Sequence, residues 1–244
     1  MPFSRFSKKR ILLFLSVLGP GIITASVDND AGGIATYSIA GAHFGYALLW
    51  TLLPITVALI VVQEMVARMG VVTGKTLADL IREKFGVRPT FLLLVAMLIA
   101  NLGNTVAEFA GWASAWEIFG ISKYISVPLG ATAVWFLVVK GTSRVVEKVF
   151  LVACAVFFTY PVAAYLANPD WGAVGRNLLV PTLQVDGTYI AILIGMVGTT
   201  IAPWMQFYLQ SAVVEKNVQV EHYSLTRIDV IFGCFVTTVV ALSI

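Results

Sequence analysis

Charge is what this chain of 244 residues is short of: Asp, Glu, Lys and Arg together supply 12% of it. A soluble domain carries roughly 25%, so a water-facing shell is excluded for most of the length. Cysteine is nearly absent as well. Cys154 and Cys234 lie inside apolar stretches with no other cysteine or histidine beside them. That excludes a disulfide framework and zinc-type spacing and leaves packing as their role. The two histidines, His43 and His222, have no partner at metal-ligand spacing and read as solvent-side or interfacial residues. The basic residues form no single face and no base-reading motif, which excludes a nucleic-acid partner. No enzymatic activity, cofactor or obligatory protein partner is expected.

What the chain has instead is apolar sequence, 59% of all residues. The start resembles a secretory signal, basic over 1–10 and apolar over 11–18. The apolar run continues past Asp28 and Asp30 without a small-residue cleavage site, so the stretch reads as a first membrane helix. A span needs about 20 apolar residues. Seven candidates follow: 11–41, 46–69, 90–116, 125–140, 145–167, 187–214 and 228–244. The expected fold class is therefore an all-α membrane protein, with residues 1–244 forming a single transmembrane domain. The seventh candidate stops at Ile244 without a polar flank, so a fragment of a longer protein is expected.

The distribution of positive charge supports this count. With the N-terminus in the cytoplasm, the inside connections carry Arg5, Lys8, Lys9 and Arg10, then Arg68, Lys75, Arg82, Lys84 and Arg88. Lys140, Arg144 and Lys148 follow on the same side, then Lys216 and Arg227, leaving Lys123 and Arg176 outside. Cytoplasmic loops are enriched in Lys and Arg in this way. Residues 71–88 mix charges at helical spacing and read as a cytoplasmic amphipathic connection. Trp112, Trp116, Trp135 and Trp171 fall near predicted interfaces, where aromatic rings collect.

Two of the seven candidates are interrupted. The first contains Asp28-Asn29-Asp30-Ala31-Gly32-Gly33. At a rise of about 1.5 Å per residue, the two carboxylates fall near the middle of the bilayer, where an acidic side chain costs roughly 2.5–3.5 kcal/mol. The glycines let the backbone open, and an opened backbone at that depth must line a cavity or be buried in protein. Carboxylates beside freed carbonyls attract a cation. The sixth is interrupted at Thr199-Thr200-Ile201-Ala202-Pro203. Pro203 has no amide hydrogen, and the carbonyls freed before it carry partial negative charge. Plainer readings exist for each: Asp30 as the cap of the helix that follows, and Pro203 as a tolerated kink. Together, two broken helices five segments apart point to an inverted-repeat transporter with its site at mid-membrane. A membrane scaffold without transport is the bland alternative, as is a carrier of a small organic solute.

These residues resemble the Nramp family (natural resistance-associated macrophage proteins), transporters of divalent metal ions. The resemblance runs through Gly19-Pro20, Asp30 to Thr36, Ala40-Gly41-Ala42, Phe44-Gly45-Tyr46 and Leu48-Leu49-Trp50. It continues in Ala67-Arg68, Val72 to Lys75, Ala107-Glu108, Gly141, Arg144, Glu147, Pro169 to Gly172 and Val180-Pro181. It implies a LeuT-type inverted repeat, here the first repeat and the start of the second. On this resemblance the metal-site candidates are Asp30, Asp28, Asn29, Gly33, Thr199 and Ala202, and a proton or hydration path involves Glu108, Thr105 and Trp204.

The chain departs from the family pattern at the site itself. The first-helix motif Asp-Pro-Gly-Asn reads Asp30-Ala31-Gly32-Gly33, so the Asn oxygen is lost at Gly33, and Asn29 or Asp28 stand near it. The sixth-helix motif Met-Pro-His reads Ala202-Pro203-Trp204. A shift of one residue there would bring Met205 or Gln206 to the site instead. The third-helix Asp falls on Thr105, while the Glu is kept as Glu108. A thioether favours softer metals. Its replacement by Ala202 opens room for water and suits Mg²⁺, which dehydrates reluctantly, or Mn²⁺. The pattern looks like the Nramp-related magnesium transporters. Loss of two titratable groups implies weak or absent proton coupling; a proton-coupled Mn²⁺ or Fe²⁺ symporter is the alternative. Glu108 could also serve as a hydrogen bond between helices.

Overall fold

The computed structural model describes residues 29–142, 145, 146, 149, 152, 153, 155–184 and 186–244. Asp28, Cys154, Arg144 and Lys148, with the whole of 1–28, lie outside the described residues. Among the described residues the ordered structure is helical throughout.

The helices are α1 (Ala31–Phe44), α2 (Leu52–Thr73, entered through a 3-10 turn at Leu49–Thr51), α3 (Leu77–Phe85), α4 (Val87–Glu117) and α5 (Lys123–Lys140). They continue with α6 (Thr159–Leu166), α7 (Trp171–Leu179), α8 (Gly187–Thr200), α9 (Pro203–Glu215) and α10 (Tyr223–Ser243). Five apolar segments among the described residues are long enough to cross a membrane: Leu49–Thr73, Val87–Glu117, Lys123–Lys140, Gly187–Glu215 and Val220–Ser243. A shorter apolar helix covers Ala155–Leu166. The second, third and seventh spans thus reach beyond the sequence limits of 46–69, 90–116 and 228–244. Polar and glycine residues that stop an apolar count do not stop a helix whose backbone bonds are already made.

Local chemistry sets the ends. Gly74 takes the left-handed conformation (φ +62°) that ends α2, a conformation only glycine adopts without penalty. Thr76 then caps α3, accepting from the Asp79 amide, and the Thr76 hydroxyl donates to the Asp79 carboxylate at 2.7 Å. This capping pair starts the short amphipathic helix expected over 71–88. Asp170 and Asp186 cap α7 and α8 in the same manner.

The core lies between α2, α9 and α10. Leu59, Ala67 and Val71 of α2 pack on Leu209 and Val213 of α9 and on Val230 and Cys234 of α10. Gly70 lets α9 come close, since a Cβ there would stand 3.1 Å from the Gln210 side chain. The Gln210 amide also donates to the Lys75 carbonyl at 2.8 Å, tying α9 to the α2–α3 connection. A second cluster joins Tyr37 and Ala40 of α1 to Leu52 and Ile55 of α2 and to Tyr189 and Met196 of α8. Only 6% of the apolar window of α4 and 11% of that of α5 is buried within the chain, against 39% for α2 and 44% for α10. The outer faces of α4 and α5 are therefore left uncovered by the rest of this chain. Trp112 is half-exposed on α4, yet its indole N–H donates to the Ser126 carbonyl at 2.8 Å, over the gap left by Gly130 of α5. It packs between α4 and α5.

Candidate functional site

Of the two interruptions, the second is a break between two helices, and at the first a helix begins directly after Asp30. Asp30 sits in extended geometry (φ −66°, ψ 177°) at the head of α1, and its Oδ1 accepts from the Gly33 amide at 2.6 Å. It is the cap that its sequence position allowed. Across from it, α8 ends at Thr200 and α9 begins at Pro203, with Ala202 extended between them (φ −74°, ψ 136°). The Thr199 carbonyl has no amide to meet four residues on, because that residue is Pro203.

The two interruptions open on one cavity of about 540 Å³. Asp30 lines it from α1; Gly198 and Thr199 line it from the end of α8, and Ala202, Pro203, Trp204 and Phe207 from the break and the first turn of α9. The remaining wall is α4. Its Leu93, Ala96, Met97 and Ala100 give an apolar stretch, and its Asn101 and Asn104 a polar one. Tyr37 of α1 and Thr200 of α8 share a short hydroxyl–hydroxyl hydrogen bond, and Thr200 also donates to the Met196 carbonyl at 2.8 Å. That pair holds α1 against the end of α8.

The residues singled out from the sequence divide into three groups. Asp30, Thr199, Ala202 and Trp204 face one another around the cavity. Gly33 is buried and gives its amide to Asp30. Asn29 turns away: it is buried and its amide donates to the Thr237 carbonyl of α10 at 3.4 Å. Glu108 stands on α4 beside the break, where its Oε2 accepts from the Ala31 amide at 3.4 Å and the carboxylate interacts with that of Asp30. It is an interhelical hydrogen-bonding group. Thr105 is exposed and donates to the Asn101 carbonyl one turn back in its own helix; it is not part of the cavity wall. Met205 and Gln206, the residues a one-residue shift would bring to the site, are buried and are not among the lining residues. Among the described residues, no group of three or more His, Cys, Asp or Glu gathers to hold a metal.

Asn101 and Asn104 were not singled out in the sequence. The signal was available only as spacing: with Glu108 they stand at i, i+3 and i+7, one face of a helix.

Five apolar membrane-length helices, arranged as in solved Nramp transporters, define an integral membrane protein of the LeuT-type transporter fold. The chain belongs to the Nramp family: the family model "Natural resistance-associated macrophage protein-like" matches residues 21–244. A divalent metal cation transporter, MntH, from Deinococcus radiodurans is 34% identical over 237 residues, which is 91% of this chain and 52% of the relative. One of the same name from Yersinia pestis (strain Pestoides F) is 32% identical over 226 residues, 88% of this chain and 54% of the relative. The chain thus spans about half the length of the curated relatives it matches. A crystal structure of a manganese transporter from Eremococcus coleocola, in complex with an aromatic bis-isothiourea substituted compound, superposes with a TM-score of 0.84 at 23% identity. That match covers 98% of this chain and 52% of the other. These relatives are transporters, not enzymes.

Proposed function

We propose that the protein carries a divalent metal cation across the plasma membrane, with Mg²⁺ or Mn²⁺ as cargo and little or no proton coupling. The reading is carried by one observation, the cavity shared by Asp30 and the Thr199–Pro203 break. A carboxylate there faces carbonyls that have no helical amide, oxygen ligands suited to hard cations, while the thioether of the lining, Met97, belongs to the α4 wall. Ala202 in the wall supplies no sulfur and leaves space for the water that Mg²⁺ retains. The names of the relatives, divalent metal cation transporter and manganese transporter, support the cargo class.

The ion is attracted to Asp30 and to the carbonyls of α8, and the wide cavity lets it keep part of its hydration. An inside-negative potential then contributes about 4.6 kcal/mol per 100 mV to entry of a divalent ion, twice the value for one charge. With Thr105 and Trp204 in the positions discussed above, two titratable groups of the family pattern are replaced by groups that hold no exchangeable charge. The N-terminus on the cytoplasmic side follows from the distribution of Lys and Arg.

Uptake of Mg²⁺ and Mn²⁺ by the intact protein in liposomes tests the reading. Asp30→Ala is expected to abolish it, and unchanged flux would overturn it. An internal pH dye tests the coupling: no acidification during uptake is expected. Acidification in proportion to metal entry would favour the proton-coupled alternative, for which Glu108 beside the break is the available carrier.

A further inference from the structure

The α4 wall of the cavity has no role in the reading above, and it is where the structure adds a pair of residues. We propose that Asn101 and Asn104 form a neutral, oxygen-presenting wall that hydrogen-bonds the water shell of the cation held at Asp30 and so sets the affinity for a hydrated ion. This rests on the divalent-cation reading of the site.

The first observation is position. Both side chains line the cavity that Asp30, Thr199 and Ala202 also line. They stand three residues apart on α4, so they lie side by side on one helix face, and Glu108, one further turn along, reaches the Ala31 amide from that same face. The next residue, Thr105, is exposed and bonds back to its own helix. The polar stripe therefore has a definite direction, toward the head of α1. The second is availability. Both are half-buried, and the hydrogen bonds found among the described residues leave their side-chain amides for a ligand. A polar group in an apolar span is disfavoured unless it meets a partner, and here the partner is the cavity.

The third is stoichiometry. Asp30 Oδ1 already accepts from the Gly33 amide at 2.6 Å, and no cluster of three acidic, histidine or cysteine groups is present among the described residues. One carboxylate and a few carbonyls do not complete the octahedral shell that Mg²⁺ demands, so it keeps several waters. At about 30 Å³ for each water, six occupy roughly 180 Å³, and the cavity of about 540 Å³ has room for them. Water bound to a divalent cation is a strong hydrogen-bond donor, and an amide Oδ1 is a good acceptor. Amides also add no charge. A carboxylate in either place would deepen the well, whereas passage requires binding weak enough to release the ion.

The test measures initial uptake of Mg²⁺ and Mn²⁺ by the intact protein in liposomes for wild type, Asn101→Ala, Asn104→Ala, the double variant and Asp30→Ala. Elution and melting profiles in detergent show which variants fold. Removing binding shared by ground and transition states raises KM and leaves kcat alone, here by about five- to tenfold in the double variant for Mg²⁺. Asn104→Gln, which keeps the amide, is expected to recover most of it. Cobalt(III) hexaammine, an exchange-inert mimic of a hydrated cation, is expected to inhibit the wild type and to lose potency in the double variant. If Asp30→Ala abolishes uptake while a folded double variant keeps wild-type KM and wild-type inhibition, the wall proposal is overturned and the site reading stands. If Asp30→Ala leaves uptake intact, the site reading itself fails.

Discussion

Gly111 of α4 lies directly over Ala31 of α1: a Cβ on the glycine would stand 2.6 Å from the Ala31 Cβ. The contact falls one residue after Asp30 and one turn after Glu108, so it sets how near the polar face of α4 comes to the break. Packing there, with the hydrogen bond from the Ala31 amide to Glu108, holds these two walls of the cavity together.

Gly111→Val is expected to force α4 outward. Overpacking costs roughly 1–3 kcal/mol, read as a lower Tm in detergent, and metal uptake should fall with it. Gly103 is the control. Nothing lies within 4 Å of a Cβ built there, so Gly103→Val should leave uptake unchanged. Equal effects at the two glycines would show that the close approach does not matter.

Ala202→Met places a thioether at the α8–α9 break, in addition to Met97 on the α4 wall. Sulfur prefers softer metals, and the added volume displaces water. Uptake measured with Mg²⁺ and Mn²⁺ in competition should move toward Mn²⁺ by about tenfold, a difference of about 1.4 kcal/mol. No change in the ratio would mean that Ala202 does not face the ion.

Tyr37→Phe deletes the hydroxyl that meets Thr200 at the end of α8. A lost hydrogen bond of this kind costs about 1 kcal/mol. Since Thr200 precedes the break, the expected signature is a modest fall in Tm together with a raised KM for metal. A stability loss with KM unchanged would confine the pair to packing.

The capping pair on α3 makes a pH prediction outside the membrane. The Thr76 hydroxyl holds the Asp79 carboxyl below its ordinary value, against an opposing effect of desolvation and helped by the Thr76 backbone and by Arg82 and Lys75. A carboxyl lowered in the folded state stabilises it above the unfolded value of about 3.9, and that contribution disappears as pH falls through the lowered value. Hydrogen exchange of the 77–80 amides should therefore show protection at about pH 6 that is lost on strong acidification. In Thr76→Ala the protection should be weak at both. The surface pair Lys75–Glu83, at 2.7 Å, is half-exposed on both sides and adds little.

The chemistry that could be read from the chain was the chemistry of single residues and their near neighbours. Asp30 as a cap, Pro203 as the end of a carbonyl ladder and Gly74 as a stop are local events, settled by the backbone groups each residue has or lacks. The same holds for the spans, because a long apolar run cannot avoid the bilayer. Thr105 shows where this kind of reading ends. Alignment with the family pattern pointed to it, but a helix turns about 100° per residue, and the cavity meets Asn101 and Asn104 instead. Asn29 likewise looked like a replacement oxygen beside Asp30 and turns out to serve α10.

From its sequence alone this protein was bound to be a helical membrane protein with a break at Pro203 and a carboxylate capping the helix after Asp30, because helix capping and the exclusion of charge from lipid act over a few residues at a time. Which side chains share a cavity with that carboxylate was decided only by the packing of α4 and α8 against α1. Helical phase and interhelical distance depend on contacts between residues far apart in the chain, and no local pattern encodes them.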